Sequence, residues 1–351
     1  MSRVYISGAG AVSPAGWGLP AMRAAIEAAT PLPTAPLEYP GVERQFRFRG
    51  VPAPQQRPAF LAHPRLRRTS PITQYAAAAA LEAADSLVSS TPPTRFGLIF
   101  CLQSGPVQYA TRFFDEVIKD PATASPLLFP ETVFSAPASH IAALLGTVSI
   151  AYTVVGDPSA FLEGLAMGAS WLEEGRVDAC VVVGAEEFNW LQAQAVWHFD
   201  HHAILGAGAG AICMRLVPDH SPKLDPDVNH PAHFAELELI TEPATYCESG
   251  GLATAARHMR AQFPVAGSTE ILIDGLGGTV LPGKAERAAW QDWPGVRLSP
   301  KHILGEGLMA ASAWQCVLAA EAVRTRHHSA ACVSVIGFNK QAMGARFTTP
   351  K

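Results

Sequence analysis

Residues 148–155 read Val-Ser-Ile-Ala-Tyr-Thr-Val-Val, and Gly-Asp-Pro-Ser follows at 156–159. The β-branched run is typical of a strand. Apolar residues then recur at helical spacing from Phe161 to Leu172, which predicts a helix. A further apolar run at 178–184 predicts a second buried strand. The order is therefore strand–helix–strand, and an α/β fold places its chemistry at the turn that follows such a strand.

The residues of this turn have recognisable helix-capping roles. We expect Asp157 to be the N-cap, because its carboxylate can accept hydrogen bonds from the N–H groups of the first turn. Pro158 is then the first helical residue, where its fixed φ is favourable and its missing N–H costs little. Gly175 is expected to end the helix in the left-handed conformation. The turn thus presents a proline where an α/β enzyme presents a reactive group.

The composition indicates that much of the surface is covered, as in an obligate oligomer, although large α/β enzymes share such a composition. Hydrophobic residues make up 48% and charged residues 16% of the 351 residues, which suggests an obligate oligomer. The net charge of −4 gives no reason to expect nucleic acid or an anionic membrane as a partner. No apolar run is long enough for membrane insertion, and the opening strand argues against a leader peptide. Six scattered cysteines without C-x-x-C spacing are typical of free thiols in a cytoplasmic protein.

The rest of the chain alternates between predicted strands and helices. The strands are at 95–101, 234–241, 270–274 and 331–336, and the helices are at 21–29, 73–87, 249–263, 284–290 and 308–324. Residues 30–72 are rich in Pro and Arg, which predicts an irregular surface excursion. Each half has strands, an alanine-rich helix and a glycine turn, which predicts an internal duplication. We expect residues 1–216 and 217–351 to be the two halves of one integrated unit.

Two motifs carry little weight for a cofactor or a metal. The opening strand from Val4 runs into Gly8 and Gly10, but Ser13 occupies the third glycine position of a dinucleotide fingerprint. A turn in which the glycines allow close packing is favoured, and no cofactor is expected. A short histidine cluster also lacks a Glu or Cys at ligand spacing, so no metal is expected. It consists of His198, His201 and His202.

An aromatic-rich segment with several prolines lies between residues 104 and 147. Its apolar side chains begin on one predicted helical face and continue to the central strand. They are Tyr109, Phe113, Phe114, Val117, Leu127, Leu128, Phe129 and Phe134. Such a segment is ordinary core in most proteins, but it also suits a subunit interface.

Several stretches, taken in order, resemble the β-ketoacyl-acyl-carrier-protein synthases. These are 6–16 at the start, 129–141, 152–187, 206–210, 301–311 and 337–339, which are similar to successive motifs of that family. The resemblance spans nearly the whole chain. It implies an α/β thiolase-like fold with duplicated αβαβα layers and mixed central sheets.

The same resemblance implies that the catalytic residues are lost. The family's nucleophilic cysteine falls on Pro158, which has neither a thiol nor the N–H that helps to bind the thioester oxyanion. The first catalytic histidine has no counterpart in 271–279, where Gly277 takes its place, and the second falls on Glu306. The remaining residues of this vestigial pocket would be Asp157, Ser159, Lys301 and Phe338, with Lys301 expected to neutralise Glu306.

A scaffold without its catalytic residues resembles a chain length factor. This implies a noncatalytic partner of an active ketosynthase in a heterodimer, with the aromatic segment at the interface or along the acyl tunnel. An acyl carrier protein would be the second partner, in a polyene, polyketide or fatty-acid-type pathway; 105–117 is most similar to subunits of aryl polyene pathways. Two alternatives remain. One is a stand-alone acyl-thioester enzyme using Asp157, Ser159, Lys301 or Glu306. The other is a scaffold that binds carrier protein through the basic residues Arg65, Arg67 and Arg68.

Overall fold

The structure, a computed structural model, describes residues 3–90, 93–217, 235–337 and 341–350. The helices are α1 (Leu19–Ala28), α2 (Pro71–Ser90), α3 (Val107–Lys119), α4 (Ala136–Leu145), α5 (Ala160–Glu173), α6 (Trp190–Phe199), α7 (Leu252–Ala261), α8 (Val280–Ala289), α9 (Pro300–Leu304) and α10 (Met309–Arg324). The strands are β1 (Arg3–Ser13), β2 (Gly16–Trp17), β3 (Ala35–Tyr39), β4 (Val42–Arg49), β5 (Phe96–Leu102), β6 (Val148–Val155), β7 (Ala179–Glu186), β8 (Leu205–Gly206), β9 (Gly208–Val217), β10 (Ala235–Ile240), β11 (Ala244–Thr245), β12 (Ile271–Ile273), β13 (Val296–Leu298), β14 (Ala330–Ile336) and β15 (Gln341–Thr348).

The main sheet contains the same arrangement of strands twice. Its path is β13-β12-β14-β15-β10-β1-β9-β7-β5-β6, with β2 and β11 attached to β1 and β15. In each half three parallel strands are followed by two antiparallel ones, and the halves meet where β1 pairs with β10. This repeat is the expected duplication. The division of the chain at residue 216 stays a prediction.

Helices lie between the two half-sheets and outside them, and the strands show why. Alternate residues of a strand face opposite sides of a sheet. On β5, Ile99 and Cys101 belong to the central core with α5 and α10, whereas Leu98 and Phe100 pack beneath α2 and α4. The second half-sheet packs in the same way, with α7 and α8 on its outer side. The predicted αβαβα order is therefore confirmed, and α10 is buried on nearly every side because it lies in the middle layer.

The predicted glycine turn near the N-terminus is wrong. Residues 3–13 form the continuous strand β1, with only an irregularity between Ile6 and Gly8. Helix α2 lies directly on this strand, so that a Cβ on Gly8 or Gly10 would overlap the carbonyl oxygens of Ala83 or Ala79. The glycines are explained by this close approach of helix and strand rather than by a turn.

The segment 30–72 is more regular than expected. Strands β3 and β4 form a hairpin, and β4 pairs with β8 to complete a three-stranded sheet. Trp190 of α6 holds this hairpin against the protein: its Nε1 donates to the Arg44 carbonyl at 2.7 Å, and its ring packs against Phe46. The alternation of β4 was hidden in the sequence by its charged residues, of which Glu43, Arg44 and Arg47 are exposed and Arg49 is buried.

Candidate functional site

The turn after β6 holds Pro158 at the start of α5. Gly156 N–H donates to the Leu102 carbonyl at 3.1 Å, and Asp157, Pro158 and Ser159 are all buried. The helix begins at Ala160, two residues later than expected, because the Asp157 carbonyl accepts from Ala160 N–H at 2.7 Å in a separate turn. Asp157 as the helix N-cap is therefore wrong, and Ser159 occupies that position.

The end of the same helix agrees with the sequence. Helix α5 ends at Glu173, and Gly175 follows with a φ of 64°. Its N–H donates to the Leu172 carbonyl at 3.0 Å, as a left-handed cap requires.

Neither Pro158 nor Ser159, at the start of α5, is arranged as an activated nucleophile. Pro158 offers neither a nucleophilic atom nor an N–H. Ser159 does carry a hydroxyl, but its Oγ is buried and makes no hydrogen bond to any residue the structure describes. A serine nucleophile needs a base within hydrogen-bond reach, so this hydroxyl is not activated.

The turn is in contact with the loop after β14. A Cβ added to Gly337 would overlap the Asp157 carboxylate, so the loop backbone lies directly on that side chain. The Gly337 carbonyl is held by the Tyr246 hydroxyl, which donates to it at 2.8 Å. Phe338, the next predicted pocket residue, lies outside the described residues.

Lys301 and Glu306 form a buried ion pair behind the loop 274–279. The Lys301 Nζ lies 2.8 Å from Glu306 Oε2, and the side chains are 5% and 1% exposed. The other carboxylate oxygen accepts from Leu308 N–H at 2.9 Å. The Glu306 backbone lies beside the start of β8, because its N–H donates to the carbonyl of Ile204, the residue before that strand, at 2.7 Å. Both oxygens of the carboxylate are therefore hydrogen-bonded within the protein.

Two further buried carboxyl groups lie beside this pair. Glu286 accepts from Gly275 N–H at 3.0 and 3.1 Å; burial, together with the nearby charge of Asp274, raises its pKa to about 7, although Lys301 opposes that shift. Asp274 accepts from Ser299 Oγ at 2.6 Å, and burial raises its pKa as well. The sequence analysis did not identify either residue. A charged residue within the buried stripe of a predicted helix was the available signal for Glu286.

The positions expected to carry the first histidine have no room for a side chain. Gly277 has a φ of 89°, and a Cβ there would lie 2.6 Å from the His302 ring. A Cβ on Gly278 would overlap the Glu306 carboxylate and lie 2.7 Å from Lys301 Cδ. The ion pair and His302 thus occupy the space beside this loop. Only glycine fits at these two positions.

Most of the aromatic segment lies on the surface rather than in the core. Phe113 connects the cluster, with ring centroids 5.5 Å from Phe129 and 6.1 Å from Phe114. Leu128 is buried, and Tyr109, Phe113 and Val117 are half-buried. The exposed members are Phe114 at 60%, Leu127 at 60%, Phe129 at 57% and Phe134 at 46%. Ordinary core packing therefore does not explain this segment.

The histidine cluster is occupied by aromatic packing. The Trp197 and His201 rings pack together with their centroids 4.1 Å apart. The Arg44 guanidinium lies over the Trp197 ring, 4.1 Å from its centroid. Within the described residues no group of three or more His, Cys, Asp or Glu side chains could hold a metal ion. The described helices also include none that is long and apolar enough to cross a membrane.

Comparison with known proteins identifies the fold. No protein-family model matches the sequence, and a search of curated proteins found no significant match. Solved structures do match: the chain has the thiolase-like fold of ketosynthases and chain length factors. A chain of the ishigamide ketosynthase/chain length factor is similar with a TM-score of 0.78 and 18% identity, over 99% of this chain and 100% of that one.

Two other structures describe complexes. One contains a type II polyketide synthase acyl-carrier protein with its ketosynthase bound to the hexaketide; it matches with a TM-score of 0.78 and 13% identity over 99% of both chains. The other is the ketosynthase ApeO in complex with its chain length factor ApeC from Xenorhabdus doucetiae. It matches with a TM-score of 0.75 and 15% identity over 99% of this chain and 98% of that one.

Proposed function

We propose that this chain is a noncatalytic, chain-length-factor-like subunit that pairs with an active β-ketoacyl synthase. The observation that carries the proposal is the open edge strand β6, which leads into the proline turn. This strand ends the path of the main sheet, and among the described strands it pairs with β5 alone. Two of its side chains, Tyr152 and Val155, are 52% and 50% exposed.

An open apolar edge of this length needs a partner. Unpaired N–H and C=O groups on an edge strand invite another strand, and soluble proteins normally cover or charge such edges. Further apolar side chains are exposed on the segment that leads into α4, the helix packed against β6: Phe129 and Phe134, with Phe114 on α3. A second thiolase-like chain pairing along β6 would cover both the edge and the aromatic side chains.

The vestigial site supports a noncatalytic role in that pair. Pro158 removes the nucleophile and one oxyanion donor together. Lys301 satisfies Glu306 internally, and the glycines beside them leave no space for a histidine. A site in this state contributes no thioester chemistry, so the chemistry would come from the partner.

The role left to this chain is to limit product length. A close-packed wall cannot admit another two-carbon unit unless side chains move. The rings of Phe113, Phe114 and Phe129 form a cluster on the surface that the partner would cover. We propose that they wall the acyl tunnel of a polyene, polyketide or fatty-acid-type ketosynthase, with an aryl polyene pathway as the specific candidate.

An acyl carrier protein is the proposed second partner. Arg65, Arg67 and Arg68 are exposed around the buried anchor Leu66, and within the described residues none of them forms an ion pair. A cluster of this kind suits an acidic protein surface. The six cysteines are free thiols, as expected for the proposed cytoplasmic location.

Co-expression with a candidate ketosynthase, followed by native mass measurement, tests this function. We expect a one-to-one heterodimer that elongates acyl chains, and no turnover of malonyl or acyl thioesters by this chain alone. A stable homodimer that ignores the ketosynthase would overturn the pairing. Thioester turnover by the isolated chain that Glu306→Ala abolishes would establish a stand-alone enzyme instead.

A further inference from the structure

A cleft of about 640 Å³ opens on the outer side of the glycine loop 276–280. Its walls are the start of α8 on one side and His202 and His302 on the other. Lys284 and Arg287 line it from one face of α8, since they are three residues apart on the helix. The cleft adjoins the vestigial site, because Gly277 and Gly278 separate the two, and the proposed pairing along β6 does not use it.

The cleft concentrates positive charge in a protein whose net charge is −4. Neither Lys284 nor Arg287 forms an ion pair with a residue that the structure describes. Two like charges three residues apart on a helix repel each other, and an anion bound between them would remove that repulsion. Lysine and arginine side chains directed into one cleft are therefore suited to bind a multivalent anion.

The acidic side chains beside the cleft already have partners: Glu306 is paired with Lys301, Asp274 accepts from Ser299 Oγ, and Asp200 is bonded to backbone. Asp200 is 9% exposed, and its two oxygens accept from backbone N–H groups, Val280 at 2.5 Å and His202 at 2.8 Å. Its charge is therefore directed at the backbone that shapes the cleft. On the opposite wall the His202 and His302 side chains are exposed, and each has a ring N–H to donate.

The floor of the cleft is apolar and lacks side chains where the loop passes. Leu276, Val280 and Ala288 line it, together with Gly277 and Gly278. The buried ion pair and His302 leave no room for a side chain at either glycine. The bare backbone of the two glycines keeps the floor of the cleft open. Cationic walls above an apolar floor suit a ligand that has an anionic head and an apolar body.

We propose that this cleft binds a phosphate-bearing small molecule. Its phosphate group lies between Lys284, Arg287 and the two histidines, and its apolar part lies against Leu276, Val280 and Ala288. The proposal does not depend on the pairing with a ketosynthase, because every residue that it uses belongs to this chain.

Binding to the purified full-length chain tests the proposal, with inorganic phosphate and phenyl phosphate as probes and phenol as the neutral analogue. Calorimetric titration should show saturable binding of phenyl phosphate, weaker binding of inorganic phosphate and none of phenol. Lys284→Gln and Arg287→Gln should each weaken phenyl phosphate binding about tenfold. Arg257→Gln, at an exposed position on α7, is the matched control and should leave the affinity unchanged.

The outcomes separate the parts of the proposal. Equal affinity for inorganic phosphate and phenyl phosphate would retain the anion site and overturn the apolar subsite. An affinity that is the same in Lys284→Gln, Arg287→Gln and the Arg257→Gln control would overturn the anion site. Absence of saturable phenyl phosphate binding would overturn the whole proposal. All three substitutions are on exposed helical positions, and circular dichroism would verify that the variants are folded.

Discussion

Lys301 Nζ and Glu306 Oε2 are 2.8 Å apart in a part of the protein where both side chains are almost completely buried. Glu306 occupies the position where the resemblance to ketosynthases places a catalytic histidine. A buried charge without a partner is strongly destabilising, so a carboxylate at this position requires the lysine. The pair therefore makes the carboxylate at this position depend on Lys301 for the stability of the fold.

Breaking this pair should destabilise the protein measurably. Lys301→Met leaves the Glu306 carboxylate buried without its cation, and the expected loss is about 3–5 kcal/mol of unfolding free energy. Chemical denaturation of Lys301→Met, Glu306→Met and the double variant would measure the coupling. The double variant should be more stable than the sum of the single losses predicts. Strictly additive losses would show that the two side chains do not depend on each other.

The loop glycine at 277 should tolerate no side chain, for a reason beyond its backbone conformation. Gly277→His meets the His302 ring in addition to the strain of a φ of 89°. Gly41→His is the matched control, because Gly41 has a φ of 80° and no heavy atom within 4 Å of an added Cβ. Left-handed strain alone costs about 1–2 kcal/mol, so Gly277→His should exceed the control in a denaturation assay. Equal losses in the two variants would mean that the loop moves away freely.

The sequence predicted the fold better than it predicted the surface. The strands β5, β6, β7 and β14 and the helices α5 and α10 lie within a few residues of their expected positions, because strong periodicity in long buried elements leaves few alternatives. The exposure of Phe114 and Phe129 was not predictable. An apolar helical face has the same pattern whether it packs in a core or against another chain.

The sequence predicted where the site lies but did not predict all the ionisable groups that surround it. Pro158 and Glu306 stand out because reactive residues are expected there. Asp274 and Glu286 gave no comparable signal, since their burial arises from contacts between distant elements. The start of α5 at Ala160 was also missed, because a backbone turn at Asp157 competes with side-chain capping.

Truncating the aromatic cluster should lengthen the products of the proposed heterodimer. Phe113→Ala opens space beside Phe129 and Phe114→Ala opens space beside Phe113, and neither change touches the vestigial site. Product masses from the reconstituted complex should shift upward by whole two-carbon units. Ile118→Ala is the control, on the same helix and 80% exposed, and should leave the products unchanged. Unaltered product length in both phenylalanine variants would eliminate these side chains as the wall.

Two buried glutamates should make the protein less stable as the pH rises. Burial raises the pKa of Glu186 to about 8 and that of Glu187 to about 7, in spite of hydrogen bonds from Gln103 N–H to Glu186 and from Ser70 Oγ to Glu187. Above pH 4.5, the ordinary pKa of a glutamate, the unfolded state has released these protons while the folded state still holds them. The stabilisation is complete below that value and is lost as the pH rises through about 7 to 8.

Denaturation over this pH range would measure the effect. Each group contributes a slope of up to about 1.4 kcal/mol per pH unit. Glu186→Gln keeps an oxygen acceptor and removes the titration, so its stability should fall less steeply between pH 5 and pH 8. The exposed Glu43→Gln variant is the control. A wild-type slope retained in Glu186→Gln would place the titration elsewhere.

The two ends of the main sheet offer a direct test of the proposed interface. Strands β6 and β13 occupy corresponding edges of the two half-sheets, and each exposes one valine, Val155 at 50% and Val296 at 55%. A carboxylate in a covered interface loses its hydration, whereas a carboxylate on a free edge does not. Val155→Asp should therefore weaken the heterodimer at least about tenfold, as a loss of about 1.4 kcal/mol implies. Val296→Asp should leave it unchanged. Sedimentation or native mass measurement of both variants with the ketosynthase would decide the matter. Weakening by Val296→Asp alone would move the interface to the opposite edge, and equal weakening by both would point to general destabilisation.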